Sequence, residues 1–157
     1  MKVVIVCKSV SHGNTQRVAE AMAGVLDARI VTPDQVRPGE LADYDLVGFG
    51  SGIYNMNFHR DLRKFVAALP GQQRGRAFVF SSSGFPEPPL RRYAHDLARR
   101  IEGKGFEVVD IFGCRGFDTW LPLRVIGGIR KGHPDAADLA AARAFAEKLQ
   151  ARTTSTS

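Results

Sequence analysis

Apolar and polar positions along this chain fall into short blocks that alternate between two periods. Lys2 to Cys7 (KVVIVC) is a β-branched apolar run and predicts a strand buried on both faces. Thr15 to Asp27 places Val18, Met22, Val25 and Leu26 on one stripe and predicts an amphipathic helix. Ala28 to Val31 predicts a second strand, and residues 32–44, with Pro33, Pro38 and Gly39, an irregular connection. Asp45 to Gly50 predicts a third strand, Ser51 to Phe58 a polar and aromatic loop, and His59 to Leu69 a helix with Leu62, Phe65, Val66 and Leu69 inward. Arg76 to Ser81 predicts a fourth strand, Ser82 to Pro89 a loop with three prolines, and Leu90 to Glu102 a helix. Phe106 to Phe112 predicts a fifth strand. A long Gly-rich connection, Gly113 to Pro134, leads to an Ala-rich helix over Asp135 to Ala151.

Five strands in alternation with helices predict an α/β fold, a doubly wound parallel sheet with helices on both faces. Ligands of such sheets bind at the carboxyl ends of the strands. The loops after strands one, three, four and five then share one edge. We expect a single domain over residues 1–151 and a flexible tail over 152–157, where TTSTS offers nothing to bury.

Composition excludes several classes. At 44% hydrophobic and 24% charged residues the chain is neither disordered nor fibrous. Two cysteines, Cys7 and Cys114, make neither a disulfide scaffold nor a zinc site, and His12, His59, His95 and His133 lack metal-ligand spacing. Only five apolar residues separate Lys2 from Lys8, too few for a signal-peptide core, so the expected compartment is the cytoplasm. The net charge is +6 and uneven: residues 1–59 carry five basic and six acidic groups, residues 60–157 seventeen and ten. Such a balance suits either a well-mixed surface or a basic face for an anionic partner. Aromatic residues do not alternate with the arginines, so no nucleic-acid partner is expected.

The loop Ser9-Val10-Ser11-His12-Gly13-Asn14-Thr15 joins the first strand to the first helix. Its hydroxyls and amide are hydrogen-bond donors, Gly13 admits close backbone approach, and the helix N-terminus adds unpaired N–H groups. The first turn, Thr15-Gln16-Arg17, holds no acid to offset the helix dipole. These features suit a phosphate. The loop lacks G-x-x-x-x-G-K-[ST] and G-x-G-x-x-G, which excludes a P-loop and a dinucleotide fingerprint. Cys7 is followed by Gly13 where a low-molecular-weight phosphatase needs arginine.

The strand–SVSHGNT–helix unit resembles the phosphate loop of flavodoxins, commonly T-x-T-G-N-T; Gly13-Asn14-Thr15 matches its end and the loop is about one residue longer. The resemblance runs from residue 1 to about 112. It implies a five-stranded sheet of order 2-1-3-4-5 and non-covalently bound flavin mononucleotide (FMN), with residues 9–15 on the phosphate. It also implies that Ser51, Gly52, Ile53 and Tyr54, and then Ser82, Ser83, Gly84 and Phe85, meet the isoalloxazine ring. Tyr54 and Phe85 are its expected walls. Gly50 and Gly52 are expected to let the backbone approach or flip, with a carbonyl for the N5 proton of the reduced ring. Cys7 and Cys114 end strands that are not neighbours in this order, so no disulfide is expected between them.

The implied function is electron transfer, with no catalytic side chain and a redox partner protein or a small electron acceptor. Flavodoxin carriers are typically acidic and this chain is basic, so an acidic partner is expected in place of the familiar ones. The alternative is an FMN-dependent oxidoreductase, of the NAD(P)H:quinone reductase or menaquinone-dependent protoporphyrinogen oxidase type. The latter meets the membrane, and peripheral contact is the less expected case. The apolar segment 113–134, with Phe117, Trp120, Leu121, Leu123, Val125 and Ile126, departs from ordinary flavodoxins. It has three candidate places: over the ring edge, on a partner site, or at the contact of a homodimer. A monomer is equally compatible with the sequence.

Overall fold

The computed structural model describes residues 1–9, 14–54, 57–82, 87–114 and 136–155. Its strands are β1 (Val3–Lys8), β2 (Arg29–Val31), β3 (Leu46–Tyr54), β4 (Asn57–Phe58), β5 (Arg76–Ser82) and β6 (Glu107–Cys114). Its helices are α1 (Asn14–Leu26), α2 (Arg60–Ala67), α3 (Glu87–Glu102) and α4 (Ala136–Ser155). The sheet runs β2-β1-β3-β5-β6, all parallel, and β4 pairs antiparallel with the end of β3. With the two-residue β4 set aside, this is the expected 2-1-3-4-5 order.

Alternation along each strand divides the core in two. Val4, Val6, Val47, Phe49, Ala77 and Val79 face α2 and α3, where Leu62, Phe65, Val66, Leu97 and Ile101 cover them. Val3, Ile5, Cys7, Phe78 and Phe80 face α1 and α4, against Val18, Met22, Phe145 and Leu149. Each large apolar side chain so buried contributes about 1.5–3 kcal/mol. The third connection holds a 3-10 turn, Pro38–Asp43, whose Leu41 plugs the first core. At the end of α1, Asp27 takes the left-handed conformation (φ 53°), and the Ala28 N–H returns to the Ala23 carbonyl at 3.2 Å.

Most boundaries fall within two residues of the sequence expectation, with Ser82, Gly113 and Cys114 in strands and not in loops; three differ by more. First, the segment expected to be a loop from Ser51 is strand as far as Tyr54, and it turns back through β4, with Ile53 opposite Phe58 and Tyr54 opposite Asn57. Ser51 and Gly52 read as turn residues, yet Ser51 pairs with Lys8 and Ser81, Gly52 pairs with Ser82, and the buried Ser51 hydroxyl finds both of its partners, the Gly52 carbonyl and the His59 N–H. Second, α3 begins at Glu87, so Pro88 and Pro89 lie in its first turn, where the missing N–H groups have no helical partner to lose. Third, α4 continues past Ala151 to Ser155 in place of the expected flexible tail. Thr153 is buried, its hydroxyl donates to the carbonyls of Leu149 (2.8 Å) and Gln150 (3.2 Å), and its own carbonyl accepts from Arg76 at 3.4 Å. Residues 156–157 lie outside the described ones.

Gly48 and Gly50 are set by packing. The rings of Phe78 and Phe80, stacked at 6.1 Å between centroids, lie over these two glycines on the neighbouring strand. A Cβ at either position would overlap a ring. Gly50 is therefore a core position inside the ladder, paired with Cys7 and Phe80, and not the adaptable peptide expected from the sequence. Gly24, in the middle of α1, meets nothing within 4 Å of an added Cβ. Gly50→Ala should destabilise the fold by about 1–3 kcal/mol, and Gly24→Ala should stabilise it by about 0.5–1 kcal/mol. Urea denaturation midpoints check both, and the two shifts should have opposite sign.

Candidate functional site

The register brings the carboxyl ends of the strands to one edge. Lys8, Ser51, Ser81 and Gly113 form a row across β1, β3, β5 and β6. The next row holds Gly52, Ser82 and Cys114. Below these rows the strands are apolar; here they turn to hydroxyls and glycine, because the covering helices give way to loops.

The start of α1 projects over this edge. No acidic residue stands in its first turn, so the positive end of the helix dipole is not offset from within the helix. Thr15, its second residue, is 2% exposed, and its Oγ1 lies 2.9 Å from Oγ of Ser82 on β5. The Ser9 hydroxyl accepts from the Gln16 N–H at 3.3 Å and keeps its own proton to donate. Ser9 thus holds the first turn of α1 against the end of β1.

Ser51 is fully buried on the opposite face. Its hydroxyl donates to the Gly52 carbonyl (2.7 Å) and accepts from the His59 N–H (3.1 Å), joining the β3–β4 hairpin to the start of α2. His59 caps α2: its Nδ1 accepts from the Asp61 N–H at 3.0 Å. Asp61 in turn meets Lys8 Nζ at 3.3 Å. Both partners are part-exposed, so the pair contributes about 1 kcal/mol at most. It fixes the end of β1 to the start of α2. Ser81 is 1% exposed, and its Oγ has no hydrogen-bond partner among the described residues. An orphaned buried hydroxyl costs about 1–3 kcal/mol and is uncommon outside functional regions.

A family model described as "Flavodoxin domain" matches residues 4–108. The chain belongs to the flavodoxin family. An uncharacterized protein of Methanocaldococcus jannaschii is 37% identical over 150 residues, 95% of this chain and 98% of that protein. A flavodoxin from Streptococcus pneumoniae TIGR4 shares the fold with a TM-score of 0.71 at 15% identity, over 96% of this chain and 99% of that one. Rubredoxin oxygen:oxidoreductase from Desulfovibrio gigas does so at 0.67 and 17% identity, over 98% of this chain but 36% of that one. The Trp repressor binding protein of Bacillus subtilis does so at 0.66 and 19% identity, over 90% and 95%.

Within this flavodoxin-family chain, the fold brings Ser9, Thr15, Gly52 and Ser82 to the carboxyl edge, with Ser51 beneath them. For Asn14, Ile53 and Tyr54 the backbone alone is described: Asn14 opens α1, and the other two end β3. Val10, Ser11, His12, Gly13, Ser83, Gly84 and Phe85 lie outside the described residues, as do residues 115–135. Sequence reasoning placed Lys8 at the start of the phosphate loop without its Asp61 partner, and it missed Ser81 and the His59–Asp61 cap. The available signal was a serine just where the apolar run of each strand stops, Ser51 on β3 and Ser81 on β5, which the sheet brings into register.

Cys7 and Cys114 end strands that have β3 and β5 between them, about 14 Å apart at normal strand spacing. Burial pushes the Cys7 thiol up to about 12, and the nearby Glu20 carboxylate adds to the effect. An unfolded chain releases this proton above about pH 9 while the folded one holds it, so the contribution is complete below pH 9.0 and is lost as the pH rises toward 12. In a Cys114→Ser background, Cys7 should resist an aromatic disulfide reagent at pH 8 until urea unfolds the chain. Stability should fall more steeply between pH 9 and 11 than in the Cys7→Ala variant. Fast labelling of the folded protein would contradict this burial.

Proposed function

We propose that this chain binds FMN non-covalently and passes electrons between a protein partner and the flavin. The observation that carries the reading is the acid-free first turn of α1. It stands over the carboxyl edge of a flavodoxin sheet with the Thr15 and Ser9 hydroxyls beside it. That donor set fits a phosphate monoester. It offers neutral donors and a helix dipole to a dianion, and the described part of the first turn holds no carboxylate to repel it.

Bound FMN supplies one- and two-electron chemistry. The chain supplies position. Ser9, Thr15 and the N-terminal amides of α1, together with Val10, Ser11, His12, Gly13 and Asn14, hold the phosphate. Gly52, Ile53 and Tyr54 at the end of β3, and Ser83, Gly84 and Phe85 beyond β5, meet the ring, whereas the hydroxyl of Ser82, the last residue of β5, lies against Thr15 in place of the expected ring contact. Ser51 supports the first of these segments from below through Gly52 and His59. An acidic redox protein is the partner that complements a chain of net charge +6.

The second reading, an FMN-dependent oxidoreductase acting on NAD(P)H and quinones, draws on the same positive charge, which attracts anionic nucleotides. Sustained oxidation of NADPH by the purified protein with menadione, without a reductase, would decide for the enzyme.

Purified, desalted protein incubated with FMN should keep flavin bands in the visible spectrum, shifted from those of free FMN. A protein that stays colourless would overturn the FMN reading. Each uncompensated positive charge about 10 Å from the ring shifts full reduction by about 20–70 mV. Redox titration of the loaded protein should therefore give a less negative potential than acidic flavodoxins show, and the difference should shrink in high salt.

A further inference from the structure

The two hydroxyls of Thr15 and Ser82 come from elements 67 residues apart and meet at 2.9 Å in a buried position, 2% and 8% exposed. Two hydroxyls carry two protons, and one of these lies in the bond between them. Either group can be its donor. Where Thr15 donates, its proton is used up and it can only accept from a third group. Where Ser82 donates, the Thr15 proton is free. A phosphate dianion has no proton to give and accepts only. A phosphate at the start of α1 therefore selects one direction, in which Ser82 donates to Thr15 and Thr15 donates outward.

We propose that Ser82 is the positioning residue for the FMN phosphate: its hydroxyl donates to Thr15 Oγ1 and turns the Thr15 proton toward the anion. The inference rests on the FMN reading and adds to it. Ser82 closes β5 at the point where the chain enters the segment assigned above to the ring, so its side chain serves the other end of the ligand. Hydroxyls in series polarise one another, and a donor that is already oriented loses less freedom on binding. Without Ser82, Thr15 keeps its hydroxyl but not its direction. The pair also satisfies itself in the free protein, so a site ready for an anion leaves neither hydroxyl orphaned when empty.

The test compares FMN with riboflavin, the same ring without the phosphate, in titrations of flavin fluorescence. Ser82→Ala should raise the Kd for FMN about 3–10-fold, the value of one hydrogen bond, and leave that for riboflavin within about twofold. Ser82→Cys, of nearly the same shape but a weak donor, should behave like Ser82→Ala, and Ser82→Thr should restore FMN affinity. In a Thr15→Val background, Ser82→Ala should have no further effect on FMN, because the group it acts through is gone. Equal weakening of both flavins, no weakening of either, or independent addition of the two substitutions would overturn the proposal. Wild-type protein that binds both flavins with equal affinity would overturn it while leaving ring binding in place. Wild-type protein that binds neither would overturn the FMN reading and this proposal together.

Discussion

In-register parallel pairing of β1, β3, β5 and β6 is the constraint from which the rest follows. Parallel strands end together, so the residues at which each stops being apolar come to lie side by side. Lys8, Ser51 and Ser81 are far apart in the chain and adjacent at the edge. The pairing in turn depends on how closely the covering aromatic residues approach the sheet. The outer edges of the Phe78 and Phe80 rings lie over Gly48 and Gly50, and Phe145 of α4 packs edge-on against Phe78 at 6.0 Å. A side chain at either glycine would lift the rings and with them α4. The small residues in the middle of β3 therefore belong to the scaffold, and the site begins only one residue further on, at Ser51.

Much of this was legible in the sequence. Alternating apolar runs and helical stripes predict the elements, and the flavodoxin resemblance of the SVSHGNT loop predicts the family. What escaped was tertiary in origin. Gly50 reads as backbone freedom, because nothing local shows that Phe80, on the neighbouring strand, needs the room. Ser51 and Gly52 read as loop, because nothing local shows that the Ser51 hydroxyl will find its acceptor and donor in the Gly52 carbonyl and the His59 N–H. The SVSHGNT loop predicts hydroxyls around an anion, and for Thr15 and Ser9 the fold adds the partners, Ser82 and the Gln16 amide, that fix where those hydroxyls sit. Thr153 lengthens α4 because Arg76 and the carbonyls of the preceding turn give it a place, which a composition of Thr and Ser does not reveal.

The charge of the chain separates into two scales. Locally, the candidate phosphate seat relies on neutral groups among its described residues: Thr15, Ser9 and backbone amides. Of the cations near it, Lys8 is engaged by Asp61 across the end of the sheet, and Arg17 stands in the first turn of α1. Over the whole chain, an excess of six positive charges sets a field that reaches about a Debye length. Under the proposed reading, recognition of the ligand and attraction of a partner rest on different groups of the chain. Altering exposed arginines changes the long-range field without touching the hydroxyls, and altering the hydroxyls leaves the field as it is.

Neutral donors also suit a site that must exist with and without its ligand. A lysine buried at the edge would need a permanent counter-charge, and desolvating an unpaired one costs several kcal/mol. Hydroxyls avoid that cost because each is both donor and acceptor. Thr15 and Ser82 can satisfy each other when no anion is present, and the same pair can release one proton outward when an anion arrives. Ser81, on the other face of β5, has no such partner among the described residues. Two adjacent serines of one strand thus stand in different surroundings: Ser82 meets a second hydroxyl from another element of the fold, and Ser81 meets none among the described residues. Under the reading proposed above, that second hydroxyl, and not residue type alone, gives a donor its direction.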